Sequence, residues 1–273
     1  MRYLENTLKF LGRFYLLALP LYILSALPAL IGGAANMGNY GKLMKQMTAI
    51  TKDPMLVQDP TVFLGMFSGL FMAAAGAGML AFILKLIITP ATYGMIHKAF
   101  GTNRADLNDF VPALKDNIVK YILYLIAALV VWVLFAIAAG VVFLVLGLVT
   151  AVIKWLGIVL MVLAFLCVVA AAIALGVLIS LWFPAMVIDN LDIMAALKKS
   201  IDVAKENFWT LLGITLLIWL AGAVAGGVLS LFGLIPLIGS LIVSVVPAIT
   251  GFVTIVFYMM VYRDRVHGEG TTL

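Results

Sequence analysis

Charge is what this chain has least of. Asp, Glu, Lys and Arg together make up 11% of its 273 residues, and apolar residues make up 65%. A typical soluble domain carries about 25% charged residues. So few polar groups do not cover the surface of a water-soluble fold of this length, which excludes a soluble globular domain. Cysteine is nearly absent too. Cys167 is the single one, so neither an internal disulfide nor a cysteine metal cage is available. With two histidines in the whole chain there is no His-Glu-x-x-His zinc pair. A Gly-x-Ser-x-Gly elbow and a phosphate-binding glycine loop are also missing. Gly76-Ala77-Gly78 lies inside an apolar run with no strand before it and reads as helix-packing glycine. Asp189, Asp192 and His97 come nearest to an acid–base or metal set, but they fall at the ends of apolar runs. There Asp189-Asn190 and Asp192 read as helix caps, and His267 lies in the polar tail. The expectation is a protein without catalytic residues, metal or cofactor.

Basic clusters with interleaved aromatics are missing as well. The net charge is +5, but the Lys and Arg residues are spread singly and in pairs at the ends of apolar stretches, which argues against a nucleic-acid partner.

Long apolar runs are what the chain does have. A stretch of about 20 apolar residues crosses a hydrocarbon core about 30 Å thick. Six spans are expected, at about 10–32, 62–97, 117–149, 153–188, 208–231 and 236–262, with a polar external segment at 33–60, all in one membrane domain over 1–273. The runs lack the two-residue alternation of a transmembrane β-barrel. The fold class is therefore all-α, a polytopic bundle of about six helices. Spans three and four are apolar throughout except near Thr150, Lys154 and Trp155. A single helix through both would be about 100 Å long at 1.5 Å per residue, so a turn near Lys154 is required. The first run, Phe14 to Ile31, is preceded by Arg2, Lys9 and Arg13 and followed by small residues, as in a signal peptide. It is longer than a usual signal core and reads as a retained first span.

Basic residues orient the spans. Arg2, Lys9, Arg13, Lys85, Lys98, Arg104, Lys115, Lys120, Lys198, Lys199, Lys205, Arg263 and Arg265 fall on one side. Lys42, Lys45, Lys52 and Lys154 fall on the other. By the positive-inside rule both termini are cytoplasmic, and a prokaryotic inner membrane is the expected location.

The connections after spans two and four look alike. Each follows a proline, Pro90 or Pro184, and each ends in Lys-acid-Asn. In the second, Ile193, Leu197, Ile201, Ala204 and Phe208 share one helical face, with Lys198, Lys199, Asp202, Lys205 and Glu206 opposite. That spacing predicts a short amphipathic helix in the headgroup layer, capped by Asp192. The first connection predicts the same, capped by Asn108 or Asp109, with Pro112 in its opening turn. The repetition suggests an internal duplication of helix pairs, an arrangement common in transporters.

The string Phe183-Pro184, Val187, Ala196-Leu197-Lys198-Lys199-Ser200 and Asn207-Phe208-Trp209, followed by Leu212-Gly213, resembles a family of uncharacterised prokaryotic membrane proteins. These are the YciC-like proteins and the membrane domain attached to some glycerophosphoryl diester phosphodiesterases. The motif residues are Ala196, Leu197, Ser200, Asn207, Phe208 and Trp209; Glu206 stands where that family often has glycine. The resemblance implies membrane location and a six-span layout. The family's phosphodiesterase activity resides in a separate soluble domain.

Within the spans, Lys85 is the costliest residue, since a charge near the bilayer centre costs several kcal/mol and marks functional sites by default. The alternative is that span two is over-long and the Lys85 ammonium reaches the cytoplasmic boundary by snorkelling. Pro90, Pro184 and Pro247 are expected to break the cytoplasmic ends of their spans, and Pro236, Gly233 and Gly239 to form the turn between spans five and six. Gly65, Gly69 and Ala73, Ala136 and Gly140, and Gly222 and Gly226 provide close helix approach, chiefly within the chain. Tyr40 to Ile50 reads as a short surface helix. The expected partners are membrane lipids, with partner proteins or further copies of the chain as alternatives. The functional expectation is a non-enzymatic membrane component acting through lipids or partners. Its rival is a channel or transporter for an ion, lipid or small amphiphile.

Overall fold

The computed structural model describes the backbone of residues 2–52, 60–235 and 237–268. It describes the side chains there except at 33–43, 46, 49, 60–67, 69–71, 73 and 234. Among the described residues the chain is helical, with no strand: α1 (Arg2–Arg13), α2 (Leu19–Lys52), α3 (Pro60–Thr102), α4 (Phe110–Val152), α5 (Lys154–Ile179), α6 (Trp182–Ile188), α7 (Ile193–Glu206), α8 (Phe208–Leu229) and α9 (Ile238–His267). Six stretches are long and apolar enough to cross a membrane: Tyr15–Gly32, Ala74–Thr102, Leu107–Val152, Lys154–Ile188, Phe208–Gly233 and Ile238–His267. The chain is a multi-pass membrane protein.

The break between spans three and four falls at Ile153, between α4 and α5. Here Gly157 lies so close to Thr150 that a Cβ on it would stand 2.3 Å from the Thr150 Cα, and glycine alone permits that approach.

Several boundaries differ from the sequence reading. The N-terminal residues form a separate helix, α1, ended by a 3₁₀ turn at Tyr15–Ala18. Helix α1 buries Thr7 and Phe10, three apart on one face, and exposes Leu8 and Lys9. Helix α2 runs unbroken to Lys52, so Tyr40 to Ile50 continues the first span instead of forming its own surface helix. No separate amphipathic helix follows α3. Residues 110–117 are the opening turns of α4, which the apolar sequence carries straight into span three. The cap at this point is Asp106, in a reciprocal pair with Asp109 around a 3₁₀ turn, in place of Asn108 or Asp109. The two connections therefore differ in structure, which removes the main ground for a duplication.

The prolines also differ from one another. Pro90 and Pro247 stay inside unbroken helices, α3 and α9. Pro184 does follow a break: α5 ends at Ile179 and α6 begins at Trp182. A proline lacks the N–H that would pair with the carbonyl four residues back, here that of Ser180. Pro236, the Gly65, Gly69 and Ala73 stripe, and most side chains of the external segment lie outside the described residues. Gly140 would meet nothing within 4 Å if it carried a Cβ, so it makes no close helix approach among the described residues.

The chain divides into two compact units. The first comprises Met1–Asn6, Lys115–Thr215 and Phe257–Leu273; the second comprises Thr7–Leu114 and Leu216–Val256. The core of the second is aromatic around Phe10, whose ring lies 4.8 Å from Phe14, 5.0 Å from Phe100 and 6.2 Å from Phe252. The first packs Tyr121, Tyr124, Trp182 and Phe183 in mutual ring contact.

Candidate functional site

In the second unit, Lys85 lines an open cavity of about 560 Å³. The walls come from α2 (Leu21, Leu24, Ser25), α3 (Lys85, Thr89), α8 (Trp219, Gly222, Ala223) and α9 (Val246, Pro247, Thr250, Thr254). The volume falls within the range of about 300–1,000 Å³ usual for ligand pockets. Three local features shape it. Thr89 stands four residues after Lys85, so both project from one face of α3. Gly222 brings α8 against α9, where a Cβ would lie 2.7 Å from the Thr250 hydroxyl. Pro28, inside α2, removes the donor that would pair with the carbonyl of Leu24, itself a wall residue.

The polar side chains that line the cavity each carry a hydrogen-bond donor. The Lys85 ammonium is exposed and makes no ion pair or hydrogen bond with any described residue. Ser25 and Thr254 turn their hydroxyls back onto their own helices, at 3.0 Å to the Leu21 carbonyl and 2.7 Å to the Thr250 carbonyl. Thr89 and Thr250 make no such bond among the described residues and keep theirs for another partner. No carboxylate is among the described residues that line the cavity. Its remaining surface is apolar carbon.

The family-like stretch lies in the first unit and packs as a structural element. Ala196, Ser200 and Ala204, four apart, are fully buried on α7. The Ser200 hydroxyl donates to the Leu178 carbonyl at 2.8 Å, one of the carbonyls that the end of α5 leaves without a helical partner. Asn207 ends α7 and donates to the Val203 carbonyl at 2.9 Å. The Trp182 indole N–H reaches the Ile193 carbonyl at 2.8 Å, tying α6 to α7. Asp192 caps α7 as its spacing predicts, accepting from the Ala195 N–H at 3.2 Å. The packed face is nevertheless corrected. Small residues and Val203 are buried, whereas Ile193, Leu197, Ile201 and Phe208 are only partly covered, because small side chains let the α7 backbone approach its neighbours closely. Pro184 is buried with the rest of α6, and Trp209 is 80% exposed.

These contacts make a prediction. Ser200→Ala removes the hydroxyl from the Leu178 carbonyl and is expected to cost about 1 kcal/mol. Ser200→Leu also overpacks a fully buried position, for about 1–3 kcal/mol more. Denaturation midpoints of the purified variants should fall in the order wild type, Ala, Leu; equal midpoints would remove Ser200 from the α5–α7 contact.

A second cluster in the first unit escaped the sequence reading. Asp189 accepts from the Tyr262 hydroxyl at 2.6 Å and lies 2.7 Å from His267 Nε2. Close by in sequence, Asp264 accepts from the Tyr3 hydroxyl and pairs with Arg2 at 3.6 Å. Burial, and then the Asp264 carboxylate, push the Tyr3 phenol up from its ordinary value. A raised phenol pKa means that the tie contributes stability below the ordinary tyrosine range and loses it as pH rises through the raised value. Among the described residues, no group of three or more His, Cys, Asp or Glu is placed to hold a metal ion.

Residues 24–265 match a family described as Domain of unknown function (DUF7847). The chain belongs to that family. No curated protein and no solved structure matches it. The matched stretch takes in four of the six spans whole, half of the first and all but the last two residues of the sixth, and every residue of the Lys85 cavity except Leu21. Helix α1 lies outside it. All but one of the lining residues thus lie within the matched stretch.

Proposed function

We propose that the chain is a non-enzymatic protein of a prokaryotic cytoplasmic membrane, acting through membrane lipids or partner proteins as an accessory or envelope-homeostasis factor. Both termini are placed in the cytoplasm on the strength of the Lys and Arg distribution. The observation that supports the lipid reading best is the Lys85 cavity. An apolar wall with one ammonium, free hydroxyls and no carboxylate suits an amphiphile far better than a hydrophilic solute, whose path needs a continuous polar lining. The likeness of the α6–α8 stretch to the YciC-like membrane proteins belongs to the same proposal. It adds location and architecture, and no catalytic step is assigned to any residue.

Protein stripped of lipid in detergent is expected to regain thermal stability when membrane lipid is added back. At 100-fold saturation, specific binding contributes about 2.7 kcal/mol. A melting midpoint indifferent to lipid would overturn the reading. A second reading, transport of an ion, lipid or small amphiphile, is favoured by Pro28, Pro90 and Pro247, which sit inside unbroken helices of the unit that holds the cavity. Such sites can flex. Flux through reconstituted liposomes above that of empty ones, abolished by Lys85→Ala, would move the assignment to transport.

A further inference from the structure

Resting on the lipid reading, we propose that the Lys85 cavity binds one long-chain carboxylate, its acyl tail along the apolar wall and its head on Lys85, Thr89 and Thr250. Three observations lead there. The first is charge. Lys85 brings one positive charge to a wall with no acid among its described residues. In a low-dielectric surrounding an isolated ammonium is costly, and a single counter-charge cancels that cost.

The second is hydrogen bonding. A carboxylate only accepts, with two oxygens and about four lone-pair sites. The cavity offers it donors without partners among the described residues, the Lys85 ammonium and the Thr89 and Thr250 hydroxyls. A phosphate monoester carries about −1.5 to −2, and no second cation is among the described lining residues to meet it.

The third is size. A water-sized group takes about 30 Å³ in a liquid, so about 16 chain carbons need about 480 Å³. One such tail is accommodated by the open 560 Å³ cavity. The expected occupant is a single-tailed anion, and competition with a two-tailed phospholipid tests that assignment.

The test uses the full chain in nanodiscs of zwitterionic phosphatidylcholine, with radiolabelled palmitate as probe and protein-free nanodiscs as blank. Saturable binding above the blank is expected. Lys85→Gln should weaken it about ten-fold or more, the loss expected of a charge-assisted bond. Lys85→Arg should stay within a few-fold of wild type, and Ala223→Phe, which fills the wall, should reduce binding with the lysine intact. Lys85 and Ala223 are both exposed, so neither change is expected to unfold the chain; the melting midpoint of each variant verifies this. Palmitate binding unchanged in Lys85→Gln, or absent from wild type, would overturn the proposal. Competition by phosphatidylglycerol as strong as by palmitate would overturn the single-tail assignment. If lipid add-back still stabilises the protein while palmitate does not bind, the lipid reading stands and only this inference fails.

Discussion

Gly157→Ala is expected to disrupt the turn between α4 and α5, with a loss of about 3 kcal/mol or more, above the usual range for overpacking. The new methyl would stand 2.2 Å from the Thr150 hydroxyl and 2.3 Å from the Thr150 Cα. A side chain can rotate away, but a backbone atom cannot. The Thr150 hydroxyl is itself committed, donating to the Leu146 carbonyl at 2.7 Å. Gly239→Ala should behave alike, since its methyl would lie 2.0 Å from the Phe232 carbonyl oxygen. Gly176 provides the control: it lies within α5 and would meet nothing within 4 Å. Its replacement by alanine should be neutral or slightly stabilising, as alanine favours helix over glycine. Denaturant titration of the three variants decides the point. A Gly157→Ala protein as stable as Gly176→Ala would show that the α4–α5 approach is looser than described.

The second large effect is expected at Asp189. Asp189→Ala leaves the Tyr262 hydroxyl without its acceptor on a residue that is fully buried, at about 1–3 kcal/mol. Asp189→Asn keeps an acceptor oxygen and should cost less. His267→Gln should change stability by less than about 1 kcal/mol, because its side chain is 41% exposed and the pair is screened by solvent. If the Asp189–Tyr262 bond is the source of the loss, adding Tyr262→Phe to Asp189→Ala should cost little further, so the two changes should be clearly non-additive. Full additivity in that cycle would mean that the two residues act separately.

The features legible in the sequence were those that depend on run length and on near neighbours. Apolar runs of about 20 residues placed the spans, and the impossible length of an unbroken helix through Val149 and Val152 required the turn found at Ile153. Asp192 as a cap was equally local. The chemistry of Lys85 could be read from its apolar flanks, but the cavity beside it could not, because its walls come from four helices far apart in sequence. For the same reason the sequence does not bring Asp189, Tyr262 and His267 together. The packed face of α7 differs from the expected one because hydrophobicity takes no account of size: Ala196 and Ser200, off the expected face, are fully buried alongside Ala204, which lies on it. Pro90 and Pro247 were expected to end helices, but surrounding packing holds both within one.

Helix α4 has one more consequence. Its apolar stretch from Ile118 to Val149 is about 48 Å long at 1.5 Å per residue, against a hydrocarbon core of about 30 Å. Most of its large apolar side chains face outward. Such hydrophobic mismatch is relieved by tilting the helix or thickening the surrounding bilayer. The strain of a thin membrane would therefore fall on α4.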